Sequence, residues 1–176
     1  MTPREIVAAS VVNHEGGDSS NPNDRAAVAG VTVHTRFGLT WTLFQELRPG
    51  AGYDAFLALT RDDVIDLLTE WACLAPGFWR IKDPELLEHV VDYAIHSHPR
   101  NACKALQWAA RVKVDGVFGP QTEAAVNGAN AGQVVERLAA YRLRLWARLF
   151  QKDPRQRGFA AGWLNRIAAL LEERAA

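Results

Sequence analysis

The chain has 176 residues, 48% of them hydrophobic and 23% charged, which suits a buried core and excludes wholesale disorder. Formal charge is zero overall, but residues 1–98 hold 14 Asp/Glu against 7 Lys/Arg, net −7, and residues 99–176 hold 6 against 13, net +7. No run approaches the ~18 apolar residues of a membrane-spanning helix, and Met1-Thr-Pro-Arg-Glu5 lacks the basic and apolar regions of a signal peptide.

The aliphatic residues fall at helical spacing throughout, and no Asn-Gly hairpin signal separates alternating strands, so the expected class is all-α. Thr2 as N-cap, Pro3 in the first helical position and Glu5 completing a capping box open the first helix. Ile6, Val7, Ser10, Val11 and His14 follow at core-facing intervals, and Gly16-Gly17 stops it. Residues 16–31 read as a polar loop. Short helices are expected over Thr32–Phe37 and Thr40–Leu47, and a stronger one, capped by Thr60 with Asp63, runs through Leu74. Asp83-Pro84 starts the next, whose apolar stripe is Leu86, Leu87, Val90, Val91, Ala94 and Ile95. Helix resumes at 101–111, turns through Val114-Asp-Gly-Val-Phe-Gly-Pro120, and continues near 121–127, 133–150 and 160–174. Cys73 and Cys103 each sit in an apolar context and are expected as free buried thiols.

The most informative stretch is His14-Glu-Gly-Gly-Asp18 and the loop after it. A carboxylate at a helix C-terminus faces the negative end of the helix dipole, which disfavours its ionisation. Partial burial acts in the same direction, toward the raised pKa of a working general acid. Glycoside cleavage needs such an acid to protonate the departing oxygen. Two glycines keep the backbone slim where a polymer could pass. An exposed helix-end carboxylate with Gly16 as its C-cap has the same spacing, so the residues alone leave both readings open.

Here the sequence resembles a known family. Glu15, Gly16 and Gly17, with Pro22 and Asp24 at the same spacing and Gly30-Val-Thr32 closing the segment, are similar to the signature of glycoside hydrolase family 108, the phage-type muramidases. Leu59-Thr-Arg-Asp-Asp63, Gly77-Phe-Trp79, Val91-Asp-Tyr-Ala-Ile-His-Ser97 and Gly162-Trp-Leu164 resemble further stretches of that family. Val114-Asp-Gly-Val-Phe-Gly-Pro-Gln-Thr122 is close to its C-terminal peptidoglycan-binding motif. Asp18, Asn21, Ala26-Ala27 and His96-Ser97-His98 stand where the family carries other residues. The resemblance implies a lysozyme-like helical domain, 1–98, with a closely packed C-terminal helical peptidoglycan-binding region, 99–176. It implies an N-acetylmuramidase that cleaves between N-acetylmuramic acid and N-acetylglucosamine, with Glu15 as acid.

Asp24, in the same loop, is the expected second carboxylate, whether for water, for the oxocarbenium-like transition state or for the loop's own hydrogen bonds. Gly16, Gly17 and Thr32 are expected at the substrate, although Thr32 is equally placed to cap a helix. Of the aromatic residues Trp41, Tyr53, Phe78, Trp79 and Tyr93, most are expected in the core. Trp79 and Tyr93 are the sugar-stacking candidates, and Trp108, Trp146 and Trp163 read as core anchors. His96 and His98, with His34 or Cys103, match no metal-ligand spacing, and no metal or cofactor is expected. The expected partner is the peptidoglycan glycan strand, acted on by a monomer made in the cytoplasm and released to the cell wall by a holin or an export partner. No nucleic-acid role is expected. A lytic transglycosylase and a non-catalytic cell-wall-binding protein are the alternatives.

Overall fold

The computed structural model describes residues 1–14, 18–19 and 34–172, with the backbone alone given for 12–14 and 18–19. Among the described residues, nine α-helices and one three-stranded antiparallel sheet of two-residue strands make up the regular structure, so the expected all-α class holds. The chain divides into two compact units, Met1–Trp71 and Ala72–Ala176. The expected boundary at 98/99 lies inside the second unit.

In the first unit, α1 (Pro3–His14) is capped as its sequence implies. The Thr2 N–H donates to Glu5 Oε2 at 2.7 Å and the Glu5 N–H to Thr2 Oγ1 at 3.3 Å. Its buried Ile6, Val7, Ser10 and Val11 face α4 (Arg61–Thr69), which buries Val64, Ile65 and Leu68. Arg4 clamps the same two helices from outside, pairing with Asp66 at 2.7 Å and Asp62 at 3.1 Å. Thr60 and Asp63 form the second expected capping box. A core of Trp41, Phe44, Tyr53 and Phe56 joins α2 (Trp41–Leu47) to α3 (Tyr53–Leu57), a short helix with no side-chain cap to announce it.

The helix expected over Thr32–Phe37 is not found in its described part. Thr35–Arg36 forms β2, paired with β1 (Asp18–Ser19) on one side and β3 (Leu39–Thr40) on the other. Phe37 and Gly38 both take positive φ, 47° and 87°, the combination that reverses a two-residue hairpin of the primed type. Glycine adopts this freely. The phenylalanine is held by Arg36 and Arg61, whose guanidinium carbons lie 5.0 and 5.1 Å from its ring centroid.

The second unit is built on α5 (Pro84–His96), α6 (Pro99–Ala109) and α8 (Ala131–Lys152), with α7 (Pro120–Gly128) and α9 (Ala160–Glu172) packed around them. Proline occupies the first turn of α5, α6 and α7, where its missing N–H costs nothing. Asp83 caps α5 and Asn130 caps α8, each accepting the backbone N–H three residues on. The stretch Glu70–Leu74, expected as ordinary helix, is a π-helical turn. Trp146 is buried as expected and Trp163 packs against it half-buried, but Trp108 is 41% exposed. Its neighbours Gln107 and Ala109 are the ones that point inward.

Candidate functional site

Glu15, Gly16, Gly17, Asp24 and Thr32 lie outside the described residues. What the structure gives is the frame around them. Helix α1, pinned at its start and along its length, ends at His14, and β1 begins at Asp18. Ser19 then pairs with Thr35, so the chain on either side of 20–33 is held at neighbouring points of one small sheet.

Trp79 and Tyr93 have opposite surroundings. Trp79 is 54% exposed and Tyr93 1%. The Trp79 ring follows from a sharp chain reversal. After the π turn, Gly77 takes φ +86 and ψ 14, and a Cβ there would stand 2.9 Å from the Arg80 guanidinium. The 3-10 turn Phe78–Arg80 buries Phe78 and turns Trp79 outward.

Arg80 fastens this turn to the Val114–Pro120 segment. Its Nη2 donates to the Phe118 carbonyl at 2.8 Å, its Nε pairs with Glu123 at 2.8 Å, and Asn127 Nδ2 donates back to the Arg80 carbonyl at 3.0 Å. Phe118 packs edge-on against Phe78 at 5.6 Å. The segment itself is organised by Gln107, which is buried within α6. Its Oε1 accepts the N–H groups of Asp115 and Gly116 at 3.0 and 2.8 Å. Its Nε2 donates toward Asp115 Oδ1, the Val117 carbonyl and Thr122 Oγ1 at 2.8–3.0 Å. Hydrogen bonds from the Gln107 amide and then from the Val117 N–H hold the Asp115 carboxyl below its ordinary pKa. The turn is therefore rigid from within, and it leaves Val114 and Val117 exposed at 49% and 65%.

Tyr93 lies in the core, with the Arg142 guanidinium 4.8 Å from its ring centroid. A ring so enclosed has no face on which a sugar could stack. Beside it, Asp92 is buried between two arginines: Arg166 Nε donates to Oδ1 at 2.5 Å, and Arg142 Nη2 is 2.8 Å from Oδ2. Burial by itself would raise the Asp92 carboxyl, but Arg142 and Arg166 outweigh it and hold it below its ordinary pKa. Asp92 is an ionised structural bolt between α5, α8 and α9, and its state excludes it as a general acid at neutral pH.

His96 packs edge-on against Trp146 and Trp163, and His98 Nδ1 accepts the Arg100 N–H at 3.1 Å to cap α6. Among the described residues, no three His, Cys, Asp or Glu side chains gather as a metal site. Cys73 and Cys103 are free and buried, as expected, and burial pushes each thiol up to about 11.

Sequence reasoning passed over Arg80, Gln107, Asp92 and Arg142. For Asp92 and Gln107 a signal existed, because each is a polar residue inside a helix's apolar stripe. Nothing local marks Arg80 or Arg142, whose partners come from other elements.

Residues 101–168 match a family described as "Predicted Peptidoglycan domain". This region begins in α6, contains the Gln107-centred turn and ends in α9. No curated protein matches the chain. Among solved structures the chain is similar to SagA of Brucella abortus, with 24% identity over 96% of this chain and 92% of that one, at a TM-score of 0.79. That likeness shows the fold, and the family match shows a peptidoglycan-domain-like region within it.

Proposed function

We propose that the protein is a peptidoglycan hydrolase, an N-acetylmuramidase that cleaves the glycosidic bond between N-acetylmuramic acid and N-acetylglucosamine. The observation that carries this reading is the peptidoglycan-domain match over residues 101–168, which points to the cell wall as the substrate. The Glu15-Gly16-Gly17 signature supplies the chemistry, since one positioned carboxylic acid is the minimum that glycoside cleavage needs. The doubly anchored α1, which leads directly into Glu15, suits a group that must be held in place.

In this reading Glu15 protonates the departing oxygen while water attacks the anomeric carbon. Asp24 orients that water or stabilises positive charge at the sugar ring, and the distance between the two carboxyls sets retention or inversion. Gly16, Gly17 and Thr32 line the substrate. Trp79, with its exposed indole, offers a sugar-stacking face in the second unit. Release through a holin or an export partner would bring the enzyme to the wall, as for a phage-type endolysin.

The test is lysis of cells stripped of their outer membrane. The purified protein is expected to clear them. Glu15→Gln, which keeps the side chain's shape and removes its acidity, is expected to reduce the rate by about 10²–10⁴-fold, the usual contribution of a general acid. Binding without clearing by the parent protein would overturn the enzymatic reading in favour of a wall-binding protein.

A further inference from the structure

One face of the second unit combines exposed aromatic and basic groups. Trp108, 41% exposed at the end of α6, meets Tyr141 of α8 at 5.5 Å between centroids, with the rings tilted by 51°. The Arg144 guanidinium carbon lies 5.9 Å from the Trp108 ring centroid. Arg137, Tyr141, Arg144 and Arg148 follow one another at i, i+4, i+7 and i+11, which is one face of a helix. Arg137 reaches across to the Ala109 carbonyl at 3.3 Å, which ties this face to the end of α6. There Arg111 leaves the helix in a left-handed conformation, φ 60°, and projects into solvent.

The charge of this face is one-sided. The α8 sequence carries Arg137, Arg142, Arg144, Arg148 and Lys152 against one acid, Glu136. Arg142 is consumed internally by Asp92, while Arg111, Arg144 and Arg148 are exposed and form no ion pair among the described residues. Exposed cations without carboxylate partners, around an exposed indole, suit a polymer that offers carboxylates and apolar sugar faces together.

We propose that the Trp108–Tyr141–Arg144 face, with Arg111 and Arg148 at its edges, is a docking surface for the peptide-substituted glycan of peptidoglycan. Sugar rings rest on the indole, and stem-peptide carboxylates pair with the arginines. The proposal rests on the peptidoglycan reading of this chain and adds to it a wall-holding surface made of residues that the hydrolase reading does not use.

Co-sedimentation with purified peptidoglycan sacculi tests it, using full-length protein that carries Glu15→Gln so that the polymer stays intact. Trp108→Ala is expected to weaken binding about tenfold, the usual effect of truncating an aromatic anchor. Arg111→Glu combined with Arg144→Glu is expected to weaken it further and to flatten its dependence on NaCl. Trp108→Phe should restore much of the loss, and thermal melts show whether each variant is folded. Folded variants that sediment like the parent overturn the proposal. So does retention of the parent by DNA or by anionic phospholipid vesicles but not by sacculi. Muropeptide release by the protein with Glu15 intact is read separately. Cleavage without sacculus binding removes this surface and leaves the hydrolase reading, and binding without cleavage does the reverse.

Discussion

Arg166 in α9 donates its Nε–H to the Asp92 carboxylate in α5 at 2.5 Å, across 74 positions of sequence and with both side chains 4% exposed. With Arg142 on the other carboxylate oxygen, this pairing fixes three helices of the second unit through a single acid. Removing the acid leaves two buried guanidinium groups without their counter-charge. Asp92→Ala is therefore expected to destabilise the protein by about 3–5 kcal/mol, as when one partner of a buried ion pair is lost. Urea denaturation followed by circular dichroism measures this, and a loss below about 1 kcal/mol would mean the charges find other partners.

The same acid sets a pH dependence. Its folded pKa is depressed, so the contribution is fully present above the unfolded aspartate value of about 3.9. It is lost as pH falls below that value and through the folded pKa. A stability profile of the parent should thus decline more steeply below about pH 4 than that of Asp92→Asn. Parallel profiles would show that Asp92 is not charged in the folded state.

Gln107 carries the Val114–Pro120 turn, and its loss should be felt there first. Gln107→Leu keeps the volume near that of the amide but strips the Asp115 and Gly116 N–H groups of their acceptor. A cost of about 1–3 kcal/mol is expected for such stranded groups. Amide hydrogen exchange should quicken at Asp115, Gly116 and Val117 more than in α5. Uniform protection would contradict the assignment of Gln107 as the organiser of the turn.

Gly77 is expected to tolerate no side chain. Its φ of +86 costs an L-residue about 1–2 kcal/mol by itself. A Cβ would also press on the Arg80 guanidinium that Phe118 and Glu123 hold in place. Gly77→Ala should lower thermal stability, and pairing it with Arg80→Ala should recover the steric part. Full additivity in the double mutant would show that the clash is not felt.

The thiols report on packing. With both pushed up to about 11 by burial, Cys73 and Cys103 should react negligibly with an aromatic disulfide reagent at pH 7 while the protein is folded, and promptly in denaturant. Prompt reaction of either under native conditions would place it in a cavity open to solvent.

The parts of this fold that could be read in the sequence are those decided by a few neighbouring residues. Thr2 with Glu5, Thr60 with Asp63 and Asp83-Pro84 each announce a helix start, because cap and partner lie three residues apart. The hairpin at Thr35–Thr40 was hidden because Phe37-Gly38 is an uncommon turn pair, stabilised by Arg36 and by the more distant Arg61. Trp108 read as core because helical spacing gives a periodicity but does not say which face a neighbouring helix will cover. Tyr93 read as a candidate platform because its burial beneath Arg142 depends on α8, almost fifty residues on. Of the candidate site, the sequence yields the residue types and their order, while the frame of α1 and the small sheet comes from three-dimensional pairing.

Mass spectrometry of the products from purified sacculi reads out hydrolysis at the Glu15 carboxyl. Hydrolysis there yields muropeptides ending in reducing N-acetylmuramic acid, formed by the parent and lost in a folded Glu15→Gln variant. Products lacking one water, with an anhydro ring in place of the reducing end, would contradict it, as would reducing muropeptides released equally by both proteins.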